Sequence, residues 1–274
     1  MGVTQREKGE RFRRLHEGAC FVIPNPWDVG SAKVLAGMGF AALATSSAAA
    51  AAGIGKRDGE LTREEALTHA RTIVEATELP VSADLENGFG DAPEAVGETV
   101  RLAGEAGLTG CTIEDTTGKE VKPLYEFELA VERAAAGAEA ARALGFPFLL
   151  TVRTHNLLFA GGQLEETVRR LQAFEKAGAD VLFAPGLPDL AAVRNVCGAV
   201  KKPFNFMVGI PGKSFSVAEL AAAGVRRISL ATSLYRAAMT GFLEAAREVH
   251  HQGTFTFLDR SLKSTGEVVD LMGS

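Results

Sequence analysis

Residues 164–185 read LEETVRRLQAFEKAGADVLFAP, and the way this stretch is punctuated decides the fold. Its first part keeps a helical period, Gly178 stops the helix, and DVLFAP is a short apolar strand. The same joint recurs at Ala36-Gly37-Met38-Gly39-Phe40, Glu105-Ala106-Gly107-Leu108 and Ala222-Ala223-Gly224-Val225. In each, glycine closes a helix ahead of the next strand, which accounts for much of the total of 30 glycines. Working outward gives eight strand runs: CFVIPN from Cys20, AALATS from Ala41, PVSADLE from Pro80, LTGCTIE from Leu108, PFLLTVR from Pro147, DVLFAP from Asp180, KPFNFM from Lys202 and VRRISLA from Val225. A helical stretch follows each run, with start signals such as Thr62 paired with Glu65 and Pro93 in a first turn. Strands separated by helices pair in parallel through right-handed crossovers. Eight such units predict an α/β fold, the (β/α)8 TIM barrel. A doubly wound sheet would place GxGxxG after the first strand, where this chain has IPNPWDVG.

The rest of the composition narrows the class. A chain of 274 residues, 46% apolar and 23% charged, buries a large core without disulfides. No composition break divides it, so residues 1–274 read as one barrel domain, with a short N-terminal helix over about Thr4 to Glu17 and a C-terminal helical tail after Gly253. A net charge of −5 and an isoelectric point near 5.7 argue against a nucleic-acid partner. No apolar run is long enough to span a membrane. The charged N-terminus has no secretory core, and the separated Cys20, Cys111 and Cys197 suit a reducing cytoplasm.

Barrel active sites lie at the carboxyl ends of the strands. Strand three ends Asp84-Leu85-Glu86, strand four ends Glu114-Asp115, and Asp58 lies in the loop after strand two. Carboxylates converging on one mouth require a neutralising cation. An all-oxygen set points to Mg²⁺, or Mn²⁺, in preference to zinc. Alternation in ADLE places Asp84 and Glu86 on one side of the strand. The alternative is that strand-end acids merely cap helices, a role that Asp91 before Ala92-Pro93 fits. Arg153 ends strand five and suits an anionic substrate, or an ion pair with one of the acids. Thr45, Ser46 and Ser47 end strand two and offer hydroxyls and amides to an anion. Trp27 and Asp28 follow strand one, where Asp28 serves equally as a helix cap. His155, Lys119 and Glu120 are candidate proton carriers.

The segments NPWDVGSAKVLAGMGFAALATSS (25–47), RDGE (57–60), SADLENGFGD (82–91), TIED (112–115) and TVRT (151–154) resemble the phosphoenolpyruvate mutase/isocitrate lyase superfamily. The resemblance runs roughly from Phe21 to Ala238. It implies a barrel whose eighth helix is swapped between subunits of a homodimer or homotetramer. It also implies a bound Mg²⁺ and a small anionic 2-oxo or 2-hydroxy acid as substrate. On that basis Asp84 touches the ion, with Asp58, Glu86 and Glu114 around it through water. Arg153 binds the anionic end of the substrate, Thr45, Ser46 and Ser47 clasp the oxo-acid carboxylate, and Trp27 and Asp28 wall the pocket.

Departures from the family pattern bear on the reaction. The loop after strand four, Asp115-Thr116-Thr117-Gly118-Lys119-Glu120, lacks the cysteine of isocitrate and methylisocitrate lyases and is shorter than that of the mutases. Strand six ends Phe183-Ala184-Pro185-Gly186 where relatives carry His or Glu, and His155 replaces an acid. The expectation is a Mg²⁺-dependent lyase that cleaves a C–C or P–C bond beside a 2-oxo carboxylate. A phosphoenolpyruvate or phosphonopyruvate mutase and a non-catalytic ligand-binding barrel are the alternatives.

Overall fold

The computed structural model, which describes residues 2–159 and 161–273, contains all eight expected strands. They are β1 (Phe21–Ile23), β2 (Leu43–Ala44), β3 (Val81–Asp84), β4 (Gly110–Glu114), β5 (Leu149–Arg153), β6 (Val181–Phe183), β7 (Phe204–Met207) and β8 (Arg227–Ser229). The order is β1-β8-β7-β6-β5-β4-β3-β2 and every paired neighbour is parallel, as in a (β/α)8 barrel. Among the described residues β1 and β2 share no ladder. Their seam is closed by the Ala44 amide donating to the Pro24 carbonyl at 3.0 Å. Asn25 reinforces it, donating from Nδ2 to the Thr45 carbonyl and accepting at Oδ1 from the Leu230 amide, each at 2.9 Å.

Helices follow the strands around the barrel: α1 (Gln5–Glu17) precedes it, then α2 (Val29–Gly37), α3 (Ser47–Gly53), α4 (Arg63–Glu75), α5 (Pro93–Glu105), α6 (Phe127–Ala143), α7 (Leu164–Ala177), α8 (Leu190–Ala199), α9 (Val217–Ala222), α10 (Ser233–Gln252) and α11 (Leu258–Gly273). Capping boxes at Thr4 with Glu7 and Thr62 with Glu65 start α1 and α4. Gly178 closes α7 at φ +110°, a conformation that needs glycine. One local reading changes, and one short helix is added. The alanine run after β2 forms α3, capped by Ser46, because alanine is the strongest helix former. Asp91 caps nothing: the N-cap of α5 is Ala92, without a side-chain bond, and Asp91 accepts instead from the Tyr125 hydroxyl at 2.7 Å.

The amino ends of the strands are plugged by α1. Its Phe12 is fully buried in a cluster with Ile23, Ala42, Leu149 and Val181. Gly9 lies so close to the Pro147 carbonyl that no larger side chain fits. Above this plug, inside the barrel, Arg227 is 3% exposed. Its Nε donates to Asn205 Oδ1 at 2.7 Å and its Nη2 to Thr151 Oγ1 at 3.0 Å. Burial holds its pKa down at about 9. His16 Nδ1 lies 2.8 Å from the Phe12 carbonyl and Nε2 3.5 Å from Arg227 Nη1. Around the outside, α11 returns onto α2, with the Leu271 backbone against Gly37. By contrast, α10 buries no residue, and Phe242 on it is 61% exposed.

Burial, and then the charge of Arg227, hold the His16 pKa down at about 3. The folded state therefore refuses a proton that the unfolded chain accepts below about 6.5. This contribution to stability is present above about pH 6.5 and is lost as the pH falls from there towards 3. Urea unfolding from pH 8 to pH 4 is expected to show a steeper acid-side loss in the wild type than in His16→Gln.

Candidate active site

Three adjacent strands end on charged side chains: β3 on Asp84, β4 on Glu114 and β5 on Arg153. The parallel register pairs Glu114 with Arg153 directly, so strand geometry alone brings them together at the barrel mouth. Arg153 Nη2 is in contact with Glu114 Oε2 and 3.4 Å from Asp84 Oδ1. The other Asp84 oxygen accepts from Ser47, at 3.2 Å from Oγ and 3.4 Å from the amide. Ser47 Oγ is also 3.1 Å from Asp58 Oδ1, so one hydroxyl joins two acids. Thr45 Oγ1 accepts from the Asp84 amide at 3.0 Å, fixing the carboxylate's base. These hydroxyls hold the site's own carboxylates, and Ser46 caps α3.

Glu86 reaches the site by a different route from the one alternation suggests. β3 stops at Asp84, and Glu86 sits beyond it at φ +48°, in left-handed backbone that a glutamate rarely adopts. The turn survives because its neighbours are tied down. The Gly88 amide donates to the Leu85 carbonyl at 2.8 Å, and Arg133, 2% exposed on α6, donates to the carbonyls of Asn87, Gly90 and Asp91. Arg133 also stacks 4.0 Å from the Tyr125 ring centre. Burial, with Asp84 and Asp58 nearby, pushes the Glu86 carboxyl up to about 7, and its Oε1 is buried without a hydrogen-bond partner.

On the opposite side, Glu114 Oε1 accepts from Thr116 Oγ1 at 2.5 Å, and its Oε2 lies 3.1 Å from His155 Nε2. Burial, and then Arg153, hold His155 down at about 3, so its ring is neutral. Asp115 points the other way, accepting from the His155 amide at 2.9 Å and from Arg170 Nη1 at 3.1 Å. Arg170 also donates to the Tyr125 carbonyl, which pins the end of the loop after β4.

An open cleft of about 640 Å³ brings together Ser46, Ser47, Asp58, Asp84, Glu86, Glu114, Arg153 and His155. Thr45 lies lower, on a cavity of about 60 Å³ at its floor that Arg227 also lines. Trp27, Asp28 and Lys119 do not line the cleft. The Trp27 ring packs edge-on against Tyr235 at 5.7 Å, and Asp28 caps α2 by accepting from the Ser31 amide at 2.7 Å. Lys119 is exposed and paired with Asp91 at 3.2 Å. Arg133, Arg170, Asp115 and Asn25 escaped the sequence reading. Each acts on backbone groups distant in sequence, and Arg133 and Arg170 sit in helices where charge normally faces solvent.

A hard divalent cation suits these donors in chemistry, all oxygen, with Glu86 Oε1 buried and neither hydrogen-bonded nor ion-paired among the described residues. Among the described residues no three His, Cys, Asp or Glu side chains gather closely enough to enclose an ion.

A model of the phosphoenolpyruvate phosphomutase family matches residues 12–250. A crystal structure from Burkholderia cenocepacia J2315, described as a candidate lyase or mutase, is 50% identical. The match covers 93% of this chain and 92% of that one, with a TM-score of 0.91. The 2-methylisocitrate lyase of Escherichia coli K12 is 28% identical over 242 residues, 85% of this chain and 80% of the enzyme. The oxaloacetate decarboxylase of Ectopseudomonas mendocina is 28% identical over 260 residues, 90% of this chain and 88% of the enzyme.

The clamp on the Glu86 turn is testable on its own. Arg133→Met keeps the side-chain bulk but leaves three carbonyls without their donor. Amide exchange across residues 87–91 is expected to accelerate. Unfolding free energy should fall by roughly 1–3 kcal/mol, the cost of buried polar groups losing their partners.

Proposed function

We propose, for a chain that belongs to the phosphoenolpyruvate mutase/isocitrate lyase superfamily and is an enzyme of that group, a divalent-cation-assisted lyase acting on a small 2-oxo or 2-hydroxy acid. The observation that carries this reading is the convergence of Asp58, Asp84, Glu86 and Glu114 on one cleft with Arg153 among them. A binding module would have little use for four repelling acids, two of which stand 9–16% exposed. When bound, Mg²⁺ or Mn²⁺ would polarise the 2-oxo oxygen of the substrate. By the family resemblance Asp84 would hold it, with Asp58, Glu86 and Glu114 around it.

The remaining roles fall to the chain's own groups. Arg153 has a buried Nε with no partner, a donor free for the anionic end of a substrate, and its position adds preorganised positive potential where charge develops. His155, whose Nε2 lies 3.1 Å from Glu114 on the cleft, is the imidazole within reach of a reacting group there. Lys119 stays a proton carrier only through movement of residues 116–122 away from the Asp91 pair.

Oligomerisation belongs to the same reading. Within one chain only the first turns of α10 pack on the barrel, Leu234 on the core and Tyr235 against Trp27, and the rest leaves Phe242 and Leu243 exposed, which supports a homodimer or homotetramer in which this eighth helix packs on a neighbour. No described helix is long and apolar enough to cross a membrane, and three unpaired cysteines fit the cytoplasm.

Turnover of 2-oxo and 2-hydroxy acids, followed by release of pyruvate, glyoxylate or oxalate, is expected to stop with EDTA and return with Mg²⁺. Asp84→Ala should lose activity by on the order of a hundredfold or more. Turnover that survives both treatments would overturn the mechanism. For the assembly, light scattering should report two or four subunits for the wild type, and Phe242→Glu should shift the population towards monomer.

A further inference from the structure

Arg227 lies inside the barrel, and its surroundings differ from those of the other buried arginines. Arg153 meets Asp84 and Glu114, Arg170 meets Asp115, and Arg133 meets three carbonyls. Among the described residues no carboxylate pairs with Arg227. Its partners are Asn205 Oδ1, Thr151 Oγ1 and the neutral ring of His16. Even with its pKa held down at about 9 by burial, the guanidinium is a cation at neutral pH. A buried charge that lacks a counter-charge is costly to hold. The cavity of about 60 Å³ at the floor of the cleft borders this cation. Thr45, Ser46 and Ser229 line the same space. Their oxygens already accept, from the Asp84 amide at 3.0 Å, the Ala49 amide at 3.5 Å and Asn205 Nδ2 at 3.0 Å. Among the described residues no acceptor takes their three hydroxyl protons. Asp84, the one acid on the cavity wall among the described residues, turns one oxygen to Arg153 and the other to Ser47.

We infer that this floor cavity binds a free monovalent anion, chloride or another halide, between the Arg227 guanidinium and the hydroxyls of Thr45, Ser46 and Ser229. The space has room for a few water-sized occupants, which suits a single-atom anion better than a carboxylate trailing a carbon chain. A halide accepts from N–H and O–H donors in any direction and tolerates the apolar wall that Ile23, Ala44, Phe183 and Met207 supply. It gives the guanidinium its counter-charge and the three hydroxyl protons an acceptor. The anion sits beneath the substrate as a fixed part of the barrel and takes part in no bond making or breaking. Because the site exists in the folded chain alone, occupancy adds to stability by mass action. None of this depends on the lyase reading, since the site needs no turnover to be filled.

Two measurements on the full-length protein test the site. Crystals soaked in sodium bromide are expected to show an anomalous peak within hydrogen-bonding distance of the Arg227 guanidinium, unchanged when oxalate occupies the cleft. No peak there overturns the inference. So does a peak that oxalate displaces, which would make the floor the lower end of the substrate's own carboxylate subsite. In solution at neutral pH, the melting temperature in sodium chloride should exceed that in sodium gluconate at matched ionic strength. The expected gap is about 2–4 °C, the shift for an anion in severalfold excess over its dissociation constant. Equal melting temperatures would mark any peak as binding at crystal concentration only and overturn the inference. Arg227→Met should abolish the gap. Ser229→Ala, which keeps the buried cation, should narrow it and serves where Arg227→Met does not fold. A gap that neither substitution reduces overturns the assignment to this cavity.

Discussion

Carboxylates gathered at the mouth of a barrel repel one another, and much of this site is arranged around that repulsion. Arg153 stands between Asp84 and Glu114, at the one strand pairing that makes the contact unavoidable. Ser47 offers one hydroxyl to two acids, and Thr45 holds the backbone beneath one of them. The strain left over is concentrated on Glu86, whose carboxyl titrates near neutrality and whose backbone occupies a left-handed conformation. A group kept that far from its ordinary state, in a cleft, is where chemistry is most economically placed.

Support for the acids comes from two buried arginines that touch none of the four. Arg133 reads three carbonyls of the turn after β3, and Arg170 joins Asp115 to the end of the loop after β4. Both lie in the outer ring of helices, so the helices fix the loops and the loops aim the side chains. Asp115 adds a second link, holding the amide of His155 while its neighbour Glu114 faces that residue's ring. Alternation along β4 and its extension thus divides two adjacent acids between architecture and chemistry.

How much of this was legible in the sequence follows from the range of the interactions. Strand runs, glycine stops and capping boxes are local, and the eight strands stand where those patterns predict. Asp84, Glu114 and Arg153 were legible because strand ends in a barrel converge by topology alone. Glu86 was found for an incomplete reason: strand alternation placed it beside Asp84, whereas a strained turn does so. Asp91 resembled a helix cap because it precedes a proline-led helix, but a tyrosine and a lysine far along the chain claim it. Lys119 was read as a proton carrier from the loop after strand four and Trp27 and Asp28 as pocket walls by family resemblance, and their side chains find partners outside the cleft. Arg133 and Arg170 had no local signature, since their targets are backbone carbonyls and a buried carboxylate contributed by other segments.

The seam between β1 and β2 carries one more implication. Asn25, near the start of the chain, joins the end of β2 to Leu230, 205 residues further along. The seam therefore combines a backbone bond from Ala44 to Pro24 with a side-chain amide whose second partner is among the last parts of the barrel to leave the ribosome. Until β8 arrives, a nascent chain carries its acids and its arginine on strand ends that no closed ring yet gathers. Competence to act would then come late and all at once, as the final strand snaps the hoop shut.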